Sequence, residues 1–333
     1  MSNNLKRQLK RMKEVSFIRQ NIEKWKEVEK IVEQAEQTDP DRLATTYIDI
    51  TSDLSFSQSH YPTSRITIYL NNLAFALHNS IYKSKKEKRS RIITFWTKEI
   101  PLVMLNSRKE LFYSFLIFAI SVFVGVVSTM NDDTFIRLIL GDGYVDMTLN
   151  NIRNGAPMAV YSGSPEVSMF LGITLNNIGV SLYTFVMGLL TGFGSGYLLF
   201  KNGVMLGAFQ AFFFQQGLLG ESMLAIWIHG TLEISAIIVA GAAGLTLGNS
   251  WLFPGTYSRK VAFMKGAKRG LKIVIGTLPI FVVAGFLESF ITRHTHLPDF
   301  IRLGIILLSL IFVLYYYLYL PKTLRYELPE KKD

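Results

Sequence analysis

From Leu111 onward the chain carries a series of long apolar stretches with almost no lysine or arginine inside them, which leaves few architectures open. A helix crosses the bilayer hydrocarbon with about 20 apolar residues. In lipid its backbone groups must be satisfied internally, so the expected fold is all-α: a polytopic integral membrane helical bundle. Six spans are predicted, at residues 111–128, within 167–200, and at 203–219, 223–247, 273–290 and 301–320. The second stretch is too long for one simple crossing, and a bend is expected at Asn176-Asn177. The third is short and contains Gln210, Gln215 and Gln216, which makes it a marginal crossing.

Up to Lys109 the composition is different, with charged residues throughout. Ile18, Ile22, Trp25, Val28 and Val32 recur at helical spacing, and Thr38-Asp39-Pro40 ends that run. A second stripe holds Leu43, Tyr47, Ile50 and Leu54 before Tyr61-Pro62, and a third holds Leu70, Leu73, Leu77 and Ile81. Residues 1–100 are therefore expected to form a cytosolic helical bundle and residues 101–333 the transmembrane domain. His78, near the third stripe, is expected to be structural. The basic run 83–91 followed by Ile92, Ile93, Phe95 and Trp96 suits a helix lying on anionic membrane lipid, with those four residues as its interfacial anchor.

Loop charge sets the orientation. Residues 130–166 carry five acids against Arg137 and Arg153, whereas 251–272 carry six basic residues and no acid. The positive-inside rule then places 130–166 outside as an extracytoplasmic loop, with both termini in the cytosol and the protein in the cell membrane. The net charge of +10 is accounted for by these flanks. No nucleic-acid module accompanies it, so no nucleic-acid partner is expected. The chain has no cysteine, which excludes disulfides, zinc-thiolate sites and cysteine nucleophiles.

Two features carry chemical potential. Gly188, Gly192 and Gly196 fall at four-residue intervals, Gly203 and Gly207 repeat the spacing, and Ala240, Gly244 and Gly248 follow in span four. Small residues at this spacing let helices approach closely, for packing within the chain or for homo-oligomerisation. The sharper feature is His229-Gly230-Thr231-Leu232-Glu233. Its ionisable pair sits one helical turn apart near the middle of span four. An unpaired acid there costs at least about 2.5 kcal/mol, so Glu233 should face the protein interior and be protonated or partnered. His229, Asn176, Asn177, Asn202 and Gln210 are the candidate partners. The pair reads equally as a proton or cation site and as a polar clamp between helices.

Enzyme signatures are missing. His-x-x-x-Glu is not a zinc-protease motif, and the Gly-Xaa-Ser-Xaa-Gly at 192–196 lies inside a span with no strand before it. No catalytic residue, cofactor or metal is expected. His294 and His296, with Asp299 nearby, read as solvated loop residues.

The run from His229 to Ala236 and on to Leu245 resembles the signature of the stage II sporulation protein M family. So do Asn176-Asn177, the glycine-rich second span, and Asn202-Gly203 with Gly207. In the N-terminal part Tyr47, Asp53-Leu54, Tyr61-Pro62, Leu70-Asn71 and Ile81-Tyr82 resemble the longer, widely distributed bacterial branch. The resemblance implies a non-enzymatic integral membrane scaffold or regulator in a bacterial envelope system. Its protein partners would include an AAA+ ATPase of the MoxR type. A transporter or channel using His229 and Glu233 is the alternative.

Overall fold

The computed structural model describes residues 3–35, 38–82, 90–162, 165–294 and 297–326. All regular structure among them is helical. The chain divides into two compact units, Met1–Arg89 and Ser90–Asp333.

The first unit holds α1 (Asn3–Glu33), α2 (Pro40–His60) and α3 (Arg65–Tyr82). Asp39 caps α2 by accepting from the Asp41 amide, and Pro40 opens the first turn, where its missing N–H costs nothing. The predicted stripes converge on a core of Trp25, Val28, Leu43, Ile50, Leu70, Leu73 and Leu77. Two polar ties cross it. The Trp25 indole donates to Asp53 Oδ2 at 2.8 Å, and Asp53 also pairs with Lys24. Burial together with a bond to Glu29 pushes the Tyr69 phenol up to about 12. His78 is exposed and lies beside the Tyr47 ring. The basic residues 83–89 lie outside the described residues.

The second unit opens with α4 (Ser90–Thr94), a π-helical turn (Phe95–Glu99) and α5 (Ile100–Asn106). The expected interfacial anchor divides here. Ile92 and Ile93 are exposed, whereas Phe95 and Trp96 pack on the bundle core. The Tyr316 hydroxyl donates to the Trp96 carbonyl at 2.6 Å, so the tryptophan is held by protein. Glu99, its carboxyl kept below the ordinary range chiefly by a bond from Lys272, ties the segment to the fifth span at 2.7 Å.

Among the described residues six helices are long and apolar enough to cross a membrane: α6 (Arg108–Asn131), α9 (Glu166–Val186, extended by a 3-10 turn to Leu189), α10 (Phe193–Gln215), α11 (Leu219–Leu252), α12 (Arg259–Phe286, continued as a π-helix to Thr292) and α13 (Asp299–Leu314, continued through a π-helical stretch, Tyr315–Tyr319, into the last helix). Between the first two of these lie α7 (Phe135–Leu140) and α8 (Asp142–Arg153), and the described chain closes with α14 (Leu320–Tyr326). α11 is the axis, packed by α6, α9, α10, α12 and α13. Its inner faces are small: Ala236, Ala240, Ala242, Ala243 and Gly244 are all buried. Large apolar side chains on α6, α9 and α13 point outward, as spans facing lipid require.

The structure corrects the expected path of the second and third spans. α9 is one unbroken helix through Asn176 and Asn177, and the chain reverses at residues 190–192. Thr191 (φ 58°) and Gly192 (φ 79°) take the left-handed conformation that makes this tight turn, and Gly192 caps α10. Gly188, Gly192 and Gly196 therefore do not line one helix face. Gly188 meets the Gly244 backbone, Gly192 lies against Leu245, and Gly196 sits in the first turn of α10 near Ile117. The third crossing begins about ten residues earlier than its apolar run suggests, and gains the length it lacked.

The loop between α6 and α9 is a folded cap. Ile136, Val145 and Met158 pack on Ala208, Phe212, Phe213 and Ala225, at the ends of α10 and α11. Arg137 pins α7 to α8 through Asp142 (3.0 Å) and Asp146 (2.8 Å).

Candidate functional site

His229 and Glu233 lie one turn apart on α11, where helical geometry puts them on a shared face. The third member comes from the fifth span. Glu288 sits in the π-helical stretch Leu287–Thr292, where the wider turn re-aims the side chains of the last residues of the helix. Ligand-type atoms of His229, Glu233 and Glu288 all lie within 4.8 Å of one another. His229 Nε2 is 3.9 Å from Glu288 Oε2, and His229 Nδ1 is 3.0 Å from the Thr292 hydroxyl. Thr292 thus fixes the imidazole plane and turns Nε2 toward the acids.

The three side chains open on a cavity of about 430 Å³. Its walls come from α6 (Phe118), α10 (Asn202, Phe209), α11 and the cap (Ile139, Leu140, Tyr144), with no lysine or arginine among them. The Tyr144 phenol is held above its ordinary range by burial, and the nearby Glu288 carboxylate adds to the effect. The cap therefore forms part of the site.

The candidate partners of Glu233 separate. Asn177 on α9 is buried beside the Glu233 carboxylate, yet its amide nitrogen completes no hydrogen bond of regular geometry. Asn176, rotated by about 100° on the same helix, is exposed and faces away. Asn202 lines the cavity, its amide donating to the Leu198 carbonyl at 2.8 Å. Gln210 lies elsewhere, accepting from Ser222 at 2.9 Å. His294 is exposed, and His296 lies outside the described residues.

Sequence reasoning missed Glu288 and Thr292. Glu288 carried the signal that singled out Glu233, an acid inside an apolar run. Its pairing across 55 positions had no signal. Also missed was a polar stripe on α9, where Thr174, Asn177 and Ser181 each bury a side-chain polar atom that completes no hydrogen bond of regular geometry. Their spacing of three and four residues puts them on one face toward α11 and α12.

The packing glycines lie at helix crossings. Gly203 and Gly207 on α10 abut the α6 backbone, Gly244 meets Ser195 and Thr184, and Gly248 meets the Gly192 backbone.

The model of the stage II sporulation protein M family matches residues 114–293, more than half of the chain and all of the His229, Glu233, Glu288 and Thr292 cluster. The chain belongs to the stage II sporulation protein M family. It is a multi-pass membrane protein whose family match ends one residue after Thr292, before the sixth span. Residues 15–83 match a domain of unknown function (DUF8413), so the two compact units correspond to separate matches. The uncharacterized protein MJ0706 of Methanocaldococcus jannaschii is 22% identical over 209 residues, covering 60% of this chain and 88% of that protein. No solved structure matches.

Proposed function

We propose that this family member is a non-enzymatic regulatory scaffold in the cell membrane, joining a cytosolic helical unit to protein partners outside. The observation that carries this reading is the shared wall of the site. Side chains of α11 and the π-helical end of α12 meet cap residues around one cavity. Occupancy of that cavity by a proton or cation changes the charge next to Tyr144 and so biases the cap. Loop charge supports an orientation with the cap outside and both termini in the cytosol. The first unit, facing the cytosol, is then the surface for an AAA+ ATPase of the MoxR type. The cap offers exposed apolar side chains, Leu138 at 79% and Met147 at 40%, for envelope partners.

Crosslinking in cells followed by purification of the full chain tests this. A partner captured through the cap is expected, with at least a fivefold loss of capture in Leu138→Glu. Recovery of no partner by either chain sinks the reading.

One observation favours transport instead. The buried polar groups of Thr174, Asn177 and Ser181 extend from the buried acids along α9, as groups lining a hydrated path do. Under that reading, Glu233→Gln lowers proton or cation flux in proteoliposomes at least tenfold. No flux of ions, protons or lipid in parent and variant alike eliminates it.

A further inference from the structure

We propose that His229, Glu233 and Glu288 form a binding site for one divalent first-row transition-metal ion. The inference rests on the regulatory reading above and names the occupant of its site.

Three observations point the same way. The first is spacing: donor atoms within 4.8 Å of one another surround a centre that one ion fills. Bonds of about 2.1 Å in tetrahedral arrangement separate ligand atoms by roughly 3.4 Å. The 3.9 Å between His229 Nε2 and Glu288 Oε2 reaches that with a small side-chain movement.

The second is the outer support. Metal-ligating histidines engage their other ring nitrogen in a hydrogen bond that fixes ring orientation, and Thr292 stands 3.0 Å from Nδ1 for this purpose. The third is the polar group aimed at the cluster. Asn177 is 6% exposed and lies beside Glu233, its amide nitrogen completing no hydrogen bond of regular geometry. Turned by half a rotation, that amide would bring its oxygen, a ligand type these ions accept, toward the same centre.

The chemistry of the donors selects the class. An imidazole with two carboxylates suits zinc, iron(II) or manganese(II), whereas a soft cation such as copper(I) prefers thiolates and the chain has no cysteine. Two carboxylates in a low-dielectric interior repel each other when ionised, and no lysine or arginine lines the cavity to neutralise them. A dication balances both. The cavity beside the donors leaves room for further ligands, water or a group from the cap.

Calorimetry on the full-length protein, purified in detergent and stripped with chelator, tests the site with zinc chloride, manganese chloride and magnesium chloride. The expected result is one zinc or manganese ion per chain, with magnesium at least tenfold weaker. Glu288→Gln and His229→Gln should each weaken binding at least tenfold, and Thr292→Val about tenfold. His294→Ala should bind as the parent does. Cobalt(II) added to the parent reads the site without any variant, through d–d absorption stronger than that of the aqueous ion. Absent stoichiometric binding, equal affinity in Glu288→Gln and His229→Gln, or a purely aqueous cobalt spectrum would each overturn the proposal. Loss of metal binding with intact partner capture leaves the regulatory reading standing. Metal binding without capture does the reverse.

Discussion

Gly207→Leu is expected to destabilise the spanning bundle by at least about 3 kcal/mol and to lower its thermal midpoint by about 6–12 °C. At the crossing of α10 and α6 a Cβ on Gly207 runs into the backbone carbonyl of Val122. One turn earlier a Cβ on Gly203 lies 2.8 Å from the Phe118 carbonyl oxygen. The obstacles are main chain and, at Gly203, also the Ser121 Cβ at 2.6 Å, which no rotamer moves, so the two helices must separate. Separation forfeits close dispersion contacts along both helices, which are the main attraction between spans when lipid is as apolar as the side chains. Gly172→Leu is the control. It lies on α9 with nothing within 4 Å of an added Cβ, and a helix interior gains from losing a glycine. Tryptophan fluorescence during heating in detergent, with size-exclusion profiles, gives the readout. A Gly207→Leu midpoint within about 2 °C of the parent would show that this crossing is not the tight contact it is drawn to be.

Other glycines mark where the sequence misled. That the chain spans a membrane six times follows from apolar runs and loop charge, because lipid forces each span to be long, helical and apolar. Where a span ends is a weaker signal. Through 188–196 the glycines keep a helical interval while the backbone reverses, since the turn needs only two left-handed residues and lipid-depth composition continues on both sides. Thr191 gives no warning of the role it plays there.

The site was legible along one helix and illegible across helices. His229 and Glu233 are neighbours by helical geometry alone. Glu288 joins them through the packing of α11 on α12 and a π-helical turn that no local pattern specifies. Asn176 and Asn177 show the limit of a motif: adjacent residues on a helix point about 100° apart, so only one of the two can reach Glu233. The dipeptide does not say which.

Trp25→Ala is expected to remove about 3–5 kcal/mol from the first unit. The indole is fully buried at the convergence of three helices, with the Phe17 ring edge-on at 5.4 Å and Tyr69 at 6.0 Å. Truncation opens a cavity the size of an indole and leaves Asp53 without its neutral donor. Trp25→Phe separates those two losses. It restores most of the volume and none of the hydrogen bond, so a cost of about 1–2 kcal/mol is expected. Hydrogen exchange on the full chain measures both, with α11 as an internal reference that should not change. Amides of α2 and α3 should exchange markedly faster in Trp25→Ala and moderately faster in Trp25→Phe. Parent-like exchange in Trp25→Ala would mean that the stripes read from the sequence do not hold this unit together. The outcome also bears on function. A first unit that loosens while the spans stay intact, and then loses a cytosolic partner but keeps capture through the cap, would place the two partner surfaces on independently folded parts of the chain.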